Sequence, residues 1–111
     1  MKQSSIFRRR QTQPKRRPFQ ARATLYTRAN CHLCDDAKQV IHRSGCADYF
    51  TLEEIDIDTD PTLVRRYGWE IPVVCIDGVE IFKARFTPEE FCREVFKVIR
   101  AQGEPAVPRR S

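Results

Sequence analysis

From Thr24 onward the hydrophobic period of this chain switches repeatedly between 2 and 3.6, and the order of the switches admits few folds. Thr24-Leu25-Tyr26-Thr27 is a short β-type run, and Arg28-Ala29-Asn30 follows as a loop. After Cys31, residues Leu33, Ala37, Val40 and Ile41 fall on one helical face. Asp35 and Asp36 favour the positive end of that helix, and Gly45 is a natural stop. Tyr49 to Ile57 reads as a second strand, with Ile55 and Ile57 on one face. Asp60-Pro61 caps and opens a short helix whose inner side is Leu63, Val64 and Tyr67, ended by Gly68. Val73 to Ile76 and Val79 to Phe82 flank Asp77-Gly78, a strong two-residue hairpin signal. Thr87-Pro88-Glu89-Glu90 then opens a last helix on Phe91, Cys92, Val95, Phe96 and Ile99.

The order is β-α-β-α-β-β-α. Two strands joined through a helix are expected to be parallel with a right-handed crossover, and the hairpin strands antiparallel. The expectation is an α/β fold: a four-stranded mixed sheet with helices on both faces.

Charge confines this fold to one part of the chain. Residues 1–23 hold eight basic side chains and no acidic one, whereas residues 24–102 hold ten basic and fourteen acidic. The pI of 9.2 therefore belongs to a tail. The organisation expected is a basic, disordered tail at 1–23, a domain at 24–102, and a frayed end at 103–111 marked by Gly103, Pro105 and Pro108. A core of this size supplies only ~3–5 kcal/mol, and no room remains for a second domain. Two aromatics, Phe7 and Phe19, among so many arginines make a poor nucleic-acid reader, so no nucleic-acid partner is expected. The tail reads first as a solvated extension, then as a segment touching nucleic acid or an anionic membrane, and last as a processing or targeting segment. Pro14 and Pro18 would interrupt a presequence helix. No run approaches the ~20 apolar residues that span a bilayer, and no apolar stretch follows the basic one as in an export signal. The chain is expected to be cytoplasmic and monomeric, without a membrane partner.

Five cysteines are an odd set for an exported disulfide scaffold. In a reducing compartment a close pair points to redox chemistry or metal. Cys31-His32-Leu33-Cys34 lies between the first strand and the first helix. At a helix N-terminus, free N–H groups and the dipole stabilise a thiolate, and such sites lower a cysteine pKa from ~8.5 to ~3.5–7.5. Cys31 receives most of this and is expected to be the nucleophile. Cys34, inside the first turn, is expected to resolve the mixed disulfide. Arg28 and a protonated His32 would favour the thiolate; Asp35 and Asp36 would oppose it. Exposed pairs rarely contribute more than about 1 kcal/mol, so the helix terminus sets the direction.

A strand, Cys-x-x-Cys opening a helix, and Ile71-Pro72 before a hairpin strand together resemble the glutaredoxin branch of the thioredoxin superfamily. Residues 25–34, Leu-Tyr-Thr-Arg-Ala-Asn-Cys-His-Leu-Cys, are most similar to small glutaredoxin-like proteins with a Cys-His-Leu-Cys site. The likeness covers roughly residues 24–101. It implies a thioredoxin fold, Cys31 as nucleophile, Cys34 as resolver and Pro72 as a cis-proline, with the Ile71 backbone, Arg28 and His32 on the substrate side. The activity implied is thiol–disulfide exchange with a protein or low-molecular-weight disulfide. No bound cofactor is needed, and glutathione or a thioredoxin-reductase-type system would be the reductant. The chain departs from glutathione-using glutaredoxins in having Glu70-Ile71 before Pro72, and Lys83-Ala84-Arg85-Phe86 in place of a Gly-Gly-x-x-Asp turn. Lys83 or Arg85 would then have to supply charge for a glutathione carboxylate.

The rival reading is a binding protein without turnover that holds metal or an iron–sulfur cluster, or docks a redox partner. Cys31, Cys34, His42 and Cys46 spell C-x2-C-x7-H-x3-C, but the rise of a continuous helix separates Cys34 from His42 by about 12 Å, far beyond a ~2 Å metal bond. No mononuclear metal site is expected. Cys75 and Cys92 read as small core residues, and Cys46 as the extra thiol most exposed. Trp69 either flanks a substrate groove or packs.

Overall fold

The computed structural model describes residues 20–102, so the expectations for the remainder of the two tails lie outside the described residues. Four strands, β1 (Ala21–Thr27), β2 (Phe50–Asp56), β3 (Val73–Ile76) and β4 (Val79–Lys83), alternate with three helices, α1 (His32–His42), α2 (Pro61–Tyr67) and α3 (Pro88–Ala101). The sheet order is β2-β1-β3-β4, with β1 parallel to β2 and antiparallel to β3. This is the four-stranded mixed α/β sheet that the period switches imply, and the thioredoxin-like fold that the resemblance implies.

Strand boundaries differ from the sequence expectation. β1 begins at Ala21 rather than Thr24, so residues 21–23 belong to the sheet and not to the basic tail. Ala21 and Ala23 are buried while Arg22 between them is exposed. That is a period-2 strand disguised by its small residues and by one arginine. Arg22 is also tied to the hairpin turn: its N–H donates to Asp77 Oδ1 at 2.8 Å, and its carbonyl accepts from the Asp77 N–H at 2.8 Å. β2 falls one residue short of the expected run at each end: Tyr49 closes a 3-10 turn, Ala47–Tyr49, and Ile57 is buried within another, Ile57–Thr59, leading to α2.

The pleat of β3 divides the core between the two faces. Val74 and Ile76 join Leu25, Ala37, Ile41, Phe91, Val95 and Ile99 beneath α1 and α3. Val73 and Cys75 face the opposite way, with Ile57 and Tyr67, beneath α2. All four β3 residues are buried, as expected of a strand covered on both sides. Asp77 and Gly78 have φ of 49° and 83°, the pair of positive values that a tight hairpin turn requires. The capping box of α3 is formed: Thr87 Oγ1 accepts from the Glu90 N–H at 3.0 Å, and Glu90 Oε1 accepts from the Thr87 N–H at 2.9 Å. No helix of the described residues is long and apolar enough to cross a membrane.

Candidate active site

β1 delivers the chain into the loop Arg28–Asn30, where Asn30 takes φ 61°, a left-handed conformation that asparagine tolerates. Cys31 follows in extended conformation as the N-cap of α1. Its Sγ accepts a hydrogen bond from the Cys34 N–H at 3.2 Å, and its carbonyl accepts from the Asp35 N–H at 3.1 Å. A sulfur thus occupies the cap position that an oxygen of Ser, Thr or Asp usually fills. Cys31 and Cys34 are joined as a disulfide, with Cα atoms 5.2 Å apart. Cys31 is half-buried, Cys34 is 1% exposed and His32 is exposed. Of the two sulfurs, that of Cys31 is the one an incoming group can reach.

The peptide bond between Ile71 and Pro72 is cis. β1 and β3 are neighbours with Tyr26 opposite Val73, so the loop that leads to Cys31 and the segment that leads through Pro72 leave the sheet at the same end. The Ile71 N–H donates to Tyr67 O at 3.1 Å, and Pro72 O accepts from the Ala84 N–H at 2.8 Å. The docking edge expected at Ile71 is therefore narrowed to its carbonyl.

Arg28, on the substrate side by the resemblance, is paired with Asp58. Its guanidinium grips Asp58 through Nη2 at 2.8 Å and Nε at 3.0 and 3.1 Å. Asp58 raises the pKa of Arg28 above its ordinary range, chiefly through these hydrogen bonds. The pair clamps the loop before Cys31 to the turn after β2. Lys83, considered above for a carboxylate, pairs with Glu70 at 3.3 Å.

Two cysteine assignments change. Cys46 is buried, 3% exposed, rather than the most exposed extra thiol. Cys92 is bonded to it, with Cα atoms 6.1 Å apart, rather than being a simple core residue. The sequence separation of 46 leaves no local signal for this pair, although an odd count of five does allow two bonds and one free thiol. Among the described residues, no group of three or more His, Cys, Asp or Glu gathers in a way that could hold a metal ion.

Cys75 is the free thiol and is buried. It lies in the cluster beneath α2 with Tyr67, which stacks on Tyr26 at 4.5 Å between ring centroids. Burial, reinforced by Glu80, pushes the Cys75 thiol above its ordinary range. Burial and then the neighbouring Cys75 push Tyr67 up to about 12 from an ordinary 10.0. Tyr26 is raised as well, first by burial. Raised pKa values mean that the unfolded chain loses these protons first, so the native state binds more protons and stability falls as pH rises. Stability in urea is expected to hold below pH 9 and to decline between about pH 9 and 12, with Tyr67→Phe removing part of the decline. A midpoint unchanged to pH 12 would contradict this. Cys75 is also expected to resist alkylation in the native protein and to react on unfolding.

The model of the family described as glutaredoxin-like domain (DUF836) matches residues 22–96. A glutaredoxin-like protein of Dictyostelium discoideum, named as a YDR286C homologue, is 32% identical over 84 residues, covering 70% of this chain and 78% of that protein. Among solved structures, the structural-genomics target XcR50 from X. campestris is similar with a TM-score of 0.54 and 28% identity, covering 71% of this chain and 96% of its own. A thioredoxin of Malassezia sympodialis is similar in fold, with a TM-score of 0.52 at 13% identity, over 73% of this chain and 76% of that one.

Proposed function

This chain belongs to the glutaredoxin-like domain family (DUF836), and from that membership we propose that it is a thiol–disulfide oxidoreductase working through Cys31 and Cys34. The observation that carries this reading is the unequal pair at the start of α1. Cys31 Sγ is reachable and receives the Cys34 N–H, while the Cys34 side chain is sealed beneath it.

In the reduced protein the Cys31 thiolate attacks one sulfur of a substrate disulfide. A Cys31–substrate disulfide forms, and the other substrate sulfur leaves as a thiolate that takes up a proton. Cys34 then gives up its proton and attacks Cys31 Sγ. The mixed bond breaks, the second substrate thiol is released, and the Cys31–Cys34 bond is restored. Two electrons pass from the dithiol to the substrate. A thiol reductant, glutathione or a thioredoxin-reductase-type system, returns them, and no bound cofactor takes part.

Turnover of insulin disulfides by the full chain, compared between glutathione and an NADPH–thioredoxin-reductase system, tests the reading. Catalysis above the uncatalysed rate with at least one system is expected. No catalysis with either, together with zinc or iron retained through dialysis, would favour the non-turnover alternative.

A further inference from the structure

Trp69 is the single tryptophan of the chain and is 99% exposed. A side chain of this size ordinarily provides packing or recognition, and this one packs against nothing in the fold. Its backbone is nevertheless braced, because the N–H groups of Glu70 and Ile71 both donate to Tyr67 O, at 2.8 and 3.1 Å. The indole is thus carried on a fixed turn that runs into Ile71 and Pro72. Val64, Gly68 and Trp69 from this side meet Arg28 from the Cys31 side around a hollow of about 220 Å³. Both walls belong to the end of the sheet that carries the dithiol.

Two cations at this end are paired, Arg28 with Asp58 at 2.8 Å and Lys83 with Glu70 at 3.3 Å. A carboxylate-rich ligand such as glutathione meets Arg28 and Lys83 already partnered, and the lining of the hollow brings no other charge. An apolar side chain meets a lining of Val64, Gly68 and Trp69. Tryptophan is among the residues most enriched at the energetic anchors of interfaces, where a partner covers it.

We propose that Trp69 is a specificity-determining residue, whose hollow takes an apolar side chain next to the cysteine of a polypeptide disulfide and so favours polypeptide over glutathione disulfides. The proposal rests on the oxidoreductase reading above and uses the same exchange steps.

The test uses the full chain, reduced beforehand, in single turnover with three disulfides. Two are synthetic peptides closed by an internal disulfide and differing only in the residue before the first cysteine, phenylalanine or serine. The third is glutathione disulfide. The phenylalanine peptide is expected to react at least ~10-fold faster than either of the others. Trp69→Ala is expected to bring the ratio of the two peptide rates below about 3-fold, and Trp69→Phe to keep most of it. A general loss of activity would leave that ratio unchanged. A second readout is the emission of the single tryptophan. In a Cys34→Ser variant joined to the phenylalanine peptide through Cys31, the emission is expected to move to shorter wavelength as the indole is covered. A peptide ratio near one in the parent, a ratio unaltered by Trp69→Ala, or an unmoved emission overturns the proposal and leaves the oxidoreductase reading standing. A parent that reduces none of the three disulfides overturns both.

Discussion

Cys31→Ser is expected to abolish disulfide reduction, lowering turnover by at least about 10³-fold, whereas Cys34→Ser is expected to stop the reaction halfway with substrate attached. The asymmetry follows from the first turn of α1. The Cys31 sulfur is the accessible one, and it sits where the helix presents unpaired N–H groups and its positive end. A serine hydroxyl at the same cap would keep the hydrogen bond to the Cys34 N–H, so the fold is expected to survive. It would not ionise near neutral pH and so would not attack. With Cys34 replaced, the first attack proceeds and the second nucleophile is missing. The mixed disulfide then accumulates as a species heavier by the substrate's mass, and added dithiothreitol releases it. Intact mass spectrometry of both variants after exposure to a peptide disulfide decides the matter. A covalent adduct on Cys31→Ser instead of Cys34→Ser would reverse the roles, and wild-type turnover by Cys31→Ser would end the mechanism.

The parts of this site that were legible in the sequence are those fixed by short-range physics. The hairpin turn at Asp77-Gly78, the cap at Asp60 and the capping box at Thr87 and Glu90 each need only neighbours within four residues, and all three stand where the residues place them. The position of Cys31 and Cys34 at a strand-to-helix junction is of the same kind. What escaped involves distant partners. Asp58 captures Arg28 from 30 residues away, and no periodicity could favour that partner over the helix terminus beside it. The exposure of Trp69 is equally opaque, because hydrophobic pattern predicts where a side chain can be buried, not where a turn holds one out. The strand residues Ala21 and Ala23 were missed for a different reason. Alanine adds little to a β-type pattern, and the surrounding arginines made the whole segment look like tail.

Removing the Cys46–Cys92 bond is expected to cost the domain about 2–4 kcal/mol. The chain-entropy relation for cysteines 46 residues apart gives ~4 kcal/mol as the loss of constraint on the unfolded chain, and residual structure in that chain reduces it. Against a core worth only ~3–5 kcal/mol, a bond of this size decides whether the fold persists. Its location argues the same way. Cys46 leads out of the α1 side into β2 and is buried in the main core cluster, while Cys92 lies in α3 over the same cluster. The bond therefore ties the connection between α1 and β2 to α3 on one face of the sheet, at a point that the Cys31–Cys34 chemistry does not touch. The measurement is urea and thermal unfolding of Cys46→Ala, Cys92→Ala and the double variant, each in a Cys31→Ser/Cys34→Ser background so that the other pair stays silent. For a domain of this size a loss of 2–4 kcal/mol lowers the Tm by about 10 °C or more. Because one bond is lost in every case, the double variant is expected to be little worse than either single variant. Losses that simply add, as for two independent core thiols, would show that Cys46 and Cys92 contribute by packing and not by a covalent link.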